Sequence, residues 1–397
     1  MKSFSSWSRR DFIVKPLSWF AASRFFTGVD LFAHSGAVAE SEIIHRTLGN
    51  TGISLPIVSM GVMNASIPGV VRRSYERGMR HFDTAAGYQQ GRNEEMLGSV
   101  IKELNVRNNV TIATKIFINP PRRRAATCKQ EMRAIFEGSL KRLQMDHVDI
   151  LYYHSADSAE DARLEGPIET LRELKKQGLT RFIGISTHAP YEVLNEITKS
   201  GVYDVALIPI NYTMAHEQGY LDAISAAAKK GIGLVAMKTQ AGGTGNPDKK
   251  LPRNLPAESQ TALLKWVLRN QDIATAIPGF TNFEQLDQNF SVARNLSYTK
   301  AEEAFLADKA FTAKAEFCVQ CGQCRPDCPY GVEIPALMRS HMYAVQYSNK
   351  ALAYDTLATV AAGHGLAACS SCSSCKVNCR NSVNIARKIS ELKQISV

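Results

Sequence analysis

The sequence has no long apolar run. Its nearest approach to the roughly 18 uninterrupted apolar residues of a membrane span is LSWFAASRFFTGVDLFAH, Leu17 to His34, which Arg24 and Asp30 interrupt. A permanent membrane anchor there is excluded. Also missing is a glycine-rich dinucleotide turn after the first strand-like run, because Met60-Gly61 is followed by VMNASIPG. That absence argues against a doubly wound nucleotide-binding sheet. Nor is there a surplus of positive charge that calls for nucleic acid. The net charge is +10, but Lys2, Arg9, Arg10, Lys15 and Arg24 stand against only Asp11 and Asp30 near the N-terminus. Eight clustered thiolates carrying metal would absorb most of the remainder, at about −2 per four-iron site. The run Arg122-Arg123-Arg124 follows two prolines and reads as a solvated loop.

What is present divides into three parts: 1–39, 40–300 and 301–397. The first part has a basic start, a weakly apolar stretch and small residues at Ala37-Val38-Ala39 that fit a cleavage site. The segment SRRDFIVK, with Ser8, Arg9, Arg10, Phe12, Ile13 and Lys15, resembles a twin-arginine export signal. The resemblance implies passage through the twin-arginine translocase, cleavage after Ala39 and a periplasmic location.

From residue 44 the chain alternates short β-branched runs with amphipathic stretches. The segment from His45 to Pro56 predicts a hairpin turning at Asn50-Thr51-Gly52. Strands follow at 57–61, 81–84, 110–115, 148–154, 182–186, 205–211, 233–238 and 275–279. Between them, Met132, Ile135, Phe136, Leu140 and Leu143 exemplify helical spacing. Eight such units predict an α/β fold, a (β/α)8 TIM barrel, with its chemistry at the C-terminal strand ends.

Those ends carry Asp83, Lys115 and His154, with Tyr88 in the loop after Asp83. An ammonium beside a phenol stabilises phenolate, so Lys115 is expected to lower the Tyr88 pKa while Asp83 holds Lys115. His154 can hydrogen-bond a carbonyl or join a proton relay. Such a site protonates a carbonyl oxygen as hydride arrives at carbon, or runs the reverse.

The stretches RTLGNTGISL from Arg46, FDTAAGY from Phe82 to Tyr88, Gly184-Ile185-Ser186 and Ile277-Pro278-Gly279 resemble the aldo-keto reductase family over about residues 44 to 296. The resemblance implies that Asp83, Tyr88, Lys115 and His154 are the catalytic tetrad, with Tyr88 the general acid. It further implies a nicotinamide cofactor lying across the barrel mouth. Ser186 and Asn211 would lie near the nicotinamide, Lys238 and Gly242 near the pyrophosphate, and Gln285 and Asn289 near the adenosine phosphate. Gln285 stands where many relatives place an arginine for the 2′-phosphate, which leaves NADP and NAD both open.

Cys318, Cys321, Cys324 and Cys328 follow the C-x2-C-x2-C-x3-C spacing, completed by Pro329; Cys369, Cys372, Cys375 and Cys379 repeat it, with Arg380 instead of proline. The pattern is that of bacterial ferredoxins, in which the fourth cysteine serves the other cluster. Two [4Fe-4S] clusters are therefore expected, one on Cys318, Cys321, Cys324 and Cys379, the other on Cys369, Cys372, Cys375 and Cys328. Zinc and disulfides are the competing readings. Helices expected at 334–347 and 351–360 make this a helical ferredoxin-like module. Cys128, in a helical pattern, reads as a small core residue.

The expected protein is an exported oxidoreductase acting on a small-molecule carbonyl or alcohol, with a redox partner protein. The alternatives are a cofactor-binding sensor subunit, or an electron-transfer subunit that uses the barrel as a scaffold.

Overall fold

The computed structural model describes residues 42–240, 257–308, 317–372 and 374–395. The export segment and its cleavage site lie outside the described residues.

A two-stranded hairpin opens the fold, with β1 (His45–Thr47) antiparallel to β2 (Ser54–Pro56). Its turn ends on Gly52, whose φ of 72° suits a residue without a Cβ. Leu48, Ile53 and Leu55 from this hairpin are buried with Ala113, Ile150, Val205, Leu207 and Val235 from the strands, so the hairpin plugs the N-terminal end of the barrel.

The barrel strands are β3 (Met60–Gly61), β4 (His81–Asp83), β5 (Thr111–Ile116), β6 (Val148–Tyr153), β7 (Thr180–Ser186), β8 (Val205–Pro209), β9 (Gly233–Met237) and β10 (Thr275–Ala276). They pair in parallel in sequence order as one eight-stranded sheet. Parallel bridges Val58 to Ala276 and Gly61 to Gly279 close it. β4, β5 and β6 are buried along their whole length, as strands of a parallel sheet covered on both faces are.

The helices cover the outside. The helix Cys128–Leu143 shows the rule: Cys128, Met132, Phe136, Ser139 and Leu143 face inward three or four residues apart. It ends on Gln144 at φ 55°, whose N–H donates back to Leu140, while Lys141 and Arg142 complement the last turn. Cys128 is buried there as a core residue.

The described residues belong to one compact unit. The boundary expected at 300/301 falls at the start of the helix Lys300–Ala307, which Thr299 and Glu302 close with a capping box. Glu302 also ties that helix to the barrel through Lys265 Nζ at 2.7 Å and Thr261 Oγ1 at 2.6 Å.

The cysteine-rich part has its own small core of Val332, Ile334, Leu337, Met338, Val377, Val383, Ile385, Ile389 and Leu392. The helix expected over 334–347 begins as α-helix Ile334–His341 and widens into a π turn, Met342–Gln346. A second helix spans Lys350–Ala358. These two helices lie over the C-terminal mouth of the barrel.

Candidate active site and cysteine sites

Parallel register sets Asp83 beside Ala113 and Lys115 beside Tyr152, so side chains from three neighbouring strands converge at one end. The Lys115 ammonium donates to Asp83 Oδ1 and, at 2.6 Å, to the Thr84 carbonyl. It lies 4.8 Å from the centre of the Tyr88 ring. The His154 ring meets the Tyr88 ring edge-on at 6.0 Å.

The loop that presents Tyr88 is unusual. Gln89, Gln90 and Gly91 are all left-handed, with φ of 50°, 58° and 89°. Each non-glycine residue in that region costs about 1 kcal/mol. Side-chain hydrogen bonds hold the loop: Gln89 Nε2 donates to the Met63 and Ala65 carbonyls at 3.1 Å, and Asn93 Nδ2 to the Val62 carbonyl at 2.7 Å. Thr84 Oγ1 donates to Asn93 Oδ1 at 2.7 Å. Buried Glu94 accepts from Thr114 Oγ1 at 2.6 Å and from Arg142 Nε at 2.8 Å. Sequence reasoning passed over Gln89, Asn93 and Glu94. The available signal was two polar residues on the buried face of a helix, beside Leu97 and Ile101.

The expected effect of Lys115 on Tyr88 is not what the environment produces. Burial pushes the Tyr88 phenol well above its ordinary value, and the charges of Asp83 and Tyr343 push the same way. Lys115 itself is lowered by burial against the pull of Asp83. Its charge is spent on the carboxylate. His154 is held well below its ordinary value by burial, Lys115 and His188, and so is neutral.

The four residues line a cavity of about 1280 Å³ that also reaches Ser186, Lys238, Thr239, Thr281 and Gln285. Ser186 Oγ accepts from the Ser155 N–H at 3.0 Å, and Gln285 Oε1 from the Thr281 N–H at 2.9 Å. Asn211 and Asn289 are not brought to the cavity wall. Asn211 is fully buried, and its Oδ1 accepts from the N–H of Thr213 at 3.1 Å, capping a short turn. Asn289 is buried with its Oδ1 taken by Gln240. Gly242 lies outside the described residues. The volume of the cavity fits a dinucleotide. So does Thr239, whose buried hydroxyl has no partner and is left for a ligand.

The second helical part supplies much of the cavity's other wall. Tyr343, on the π turn, accepts a hydrogen bond from Lys238 Nζ at 2.8 Å, and its oxygen lies 3.4 Å from His188 Nε2. Arg339 pairs with Asp157 Oδ2 at 3.1 Å, and the backbone N–H of His188 donates to the other oxygen at 2.6 Å. Burial, with Lys238 and Arg339, pushes His188 down to about 3, so it too is neutral. Arg380, which stands in the proline position of the second of the two four-cysteine runs, or combs, pairs with Glu217 on the barrel rim.

The cysteines gather in crossed sets. One cavity of about 310 Å³ is lined by Cys318, Cys321, Cys324 and Cys379. Another, of about 190 Å³, is lined by Cys328, Cys369, Cys372 and Cys375. Among the described residues no group of His, Cys, Asp and Glu has the geometry to hold a single metal ion. Four sulfurs spread around a cavity suit a multi-atom cluster better than one zinc. Burial and the neighbouring thiols push Cys318 up to about 12, so a thiolate there calls for a cationic group to hold it. All eight comb cysteines and Cys128 are unbridged.

Comparison with known proteins agrees with this geometry. The aldo/keto reductase family model matches residues 64–261, and a 4Fe-4S dicluster domain model matches residues 314–383. L-galactose dehydrogenase of Arabidopsis thaliana is 27% identical over 297 residues, covering 66% of this chain and 92% of that protein. L-glyceraldehyde 3-phosphate reductase of Escherichia coli strain K12 is 23% identical, covering 66% of this chain and 90% of that protein. Aldo-keto reductase AKR11C1 from Bacillus halodurans shares the fold, with a TM-score of 0.56 at 21% identity, over 67% of this chain and 95% of that one.

Fold and matches together define an oxidoreductase of aldo-keto reductase type. This particular chain carries an aldo/keto reductase domain followed by a 4Fe-4S dicluster domain.

Proposed function

We propose that the barrel interconverts a carbonyl and an alcohol on a small polyol or sugar, and that the cysteine-rich part exchanges electrons with it. The observation that carries this reading is the convergence of Asp83, Tyr88, Lys115 and His154 on one cavity that the helices of the cysteine-rich part also line. In the reducing direction the protonated Tyr88 phenol gives its proton to the substrate oxygen. Neutral His154 donates a ring N–H to the same oxygen, and Asp83 fixes Lys115 beside the phenol. The substrate class follows the two named relatives, one a galactose dehydrogenase and the other a glyceraldehyde phosphate reductase.

A nicotinamide dinucleotide, held by Ser186, Lys238, Thr239 and Gln285, would supply or accept hydride. Iron–sulfur clusters, one on Cys318, Cys321, Cys324 and Cys379 and one on Cys328, Cys369, Cys372 and Cys375, would supply one-electron chemistry. The open, tetrad-lined cavity favours an enzyme over a barrel that serves only as scaffold. The twin-arginine segment supports export in the folded state to the periplasm, where a free nicotinamide pool is lacking and a redox partner protein takes its place.

Anaerobic purification with iron and sulfide counts, and mass spectrometry of released cofactor, tests the core of the reading. A bound nicotinamide and cluster reduction by an alcohol are expected; finding neither overturns it. Fractionation of cells expressing Arg9→Lys/Arg10→Lys should find the protein retained inside, and unchanged export would remove the twin-arginine assignment.

A further inference from the structure

Among the described residues, four left-handed non-glycine residues line the tetrad cavity: Gln89, Ser155, Lys238 and Ser348. A side chain held in that region is strained, and glycine is its usual occupant. Three of the four use their side chains on the protein itself. Gln89 donates to the Met63 and Ala65 carbonyls at 3.1 Å, Ser155 Oγ lies 3.5 Å from His188 Nδ1, and Lys238 donates to Tyr343 at 2.8 Å. Ser348 differs. Its φ is 50°, and its hydroxyl oxygen is buried without a partner. Strain and an unmet hydroxyl at one position have no structural return, and such a group is left for a ligand.

The conformation of Ser348 is imposed from both sides. At the end of the π turn the Tyr347 N–H donates to the Met342 carbonyl at 3.2 Å, and the Asn349 N–H donates to the Tyr343 carbonyl at 2.9 Å. Asn349 Oδ1 then accepts from the Leu352 N–H at 3.0 Å and caps the helix Lys350–Ala358. Segment 347–349 is therefore fixed, and all three of its residues line the cavity. The Tyr343 and Tyr347 rings lie 5.7 Å apart, and Tyr343 acts electrostatically on Tyr88, so the segment borders the end of the cavity that holds the acid. Burial and Tyr343 push the Tyr347 phenol well above its ordinary value, which keeps it a neutral hydroxyl. Ser186, Lys238 and Thr239 belong to the barrel mouth, whereas segment 347–349 belongs to the cover above it. A substrate enters between the two.

We propose that segment 347–349 is the substrate-specificity element of the barrel, with Ser348 Oγ and the Tyr347 phenol hydrogen-bonding hydroxyls of a sugar remote from its reacting carbon. The proposal rests on the carbonyl–alcohol reading above. It adds that the cysteine-rich part, rather than a barrel loop, selects a polyhydroxylated substrate over a simple aldehyde. A site that offers partners to hydroxyls rejects a substrate that lacks them, because its own groups are then left unpaired.

The test uses the anaerobic holoprotein with NADH and NADPH, and compares reduction of galactose with that of propanal, which has no hydroxyl. The wild type should favour galactose. Ser348→Gly removes the hydroxyl and suits φ 50°, so its iron content and denaturation midpoint should match the wild type. It should lower the galactose-to-propanal ratio of kcat/KM by about fivefold or more, through the galactose KM. Tyr347→Phe should lower the same ratio. Ser348→Asn, which tolerates the left-handed region and restores a hydrogen-bonding group, should recover part of it. An unchanged ratio in Ser348→Gly overturns the proposal, and so does a raised KM for the nicotinamide, which would assign Ser348 to the dinucleotide. A wild type that favours propanal overturns the proposal and leaves the carbonyl–alcohol reading standing. A wild type that reduces neither compound overturns that reading, and the proposal with it.

Discussion

Two lysine–tyrosine pairs face the same cavity at the same spacing: Lys115 lies 4.8 Å from the Tyr88 ring centre and Lys238 lies 4.8 Å from that of Tyr343. Each has a histidine and an aspartate nearby, His154 and Asp83 in one case, His188 and Asp157 in the other. The first pair is built wholly from barrel strand ends and their loop. The second exists only because the comb part docks on the mouth. Lys115 spends its charge on Asp83, whereas Lys238 turns its ammonium to the phenol and leaves Asp157 to Arg339. A buried carboxylate therefore stabilises the first lysine, and an interface stabilises the second.

The largest way to break this comparison is Tyr88→Phe, which should lower kcat for carbonyl–alcohol turnover by about 10²- to 10⁴-fold, the usual contribution of a general acid. Tyr343→Phe should lower the same turnover by about tenfold or less, since it removes one hydrogen bond outside the barrel pair. Equal losses would make the two tyrosines equivalent.

Stability separates the pairs next. Lys115→Met strands Asp83 in the interior and should cost about 3–5 kcal/mol in chemical denaturation, as broken buried pairs do. Lys238→Met leaves a hydroxyl short of one donor and should cost about 1 kcal/mol.

Acid should act on both sets, since burial holds His154 and His188 alike below their ordinary value. His188 is held to about 3 from an ordinary 6.5, so below 6.5 the unfolded chain takes up a proton that the folded chain refuses, and stability falls as pH drops. Asp157, lowered by Arg339 and His188 against burial, contributes in the same direction at lower pH. Between about pH 7 and about pH 5 the wild type should therefore lose denaturation midpoint, and His188→Gln should lose less. Equal slopes would place His188 outside the junction's energetics.

The smallest effect expected is that of Arg380→Ala. Its pair with Glu217 is 42% exposed on the arginine side, so the change should be within about 0.5 kcal/mol in the same denaturation assay.

The barrel was legible because parallel strands and amphipathic helices have different periods, and every expected strand finds its counterpart. The positions of Asp83, Lys115 and His154 were legible for a related reason: a polar side chain at the end of an apolar strand has few structural uses. Local pattern could not show Lys238 meeting Tyr343, 105 residues away, because that contact depends on how two separately patterned parts dock. The π turn that aims Tyr343 was equally hidden, since its residues have ordinary helical character. Asn211 and Asn289 look alike in sequence, but the structure separates them: Asn289 gives its Oδ1 to Gln240, whereas Asn211 uses its Oδ1 to cap a turn and keeps a buried Nδ2 without a partner. The direction of the Tyr88 shift was missed because burial, which cannot be read from a lysine at the right spacing, outweighs it.

The crossing of the combs has a consequence in time as well as in space. Since Cys379 completes the first set and Cys369, Cys372 and Cys375 make up most of the second, neither set is whole until the ribosome has passed residue 375. A copy terminated shortly before that point keeps the barrel and its tetrad but has no complete four-cysteine site. The arrangement thus makes both four-cysteine sites wait for the same late segment, so that neither can close on Cys318, Cys321, Cys324 and Cys328 alone.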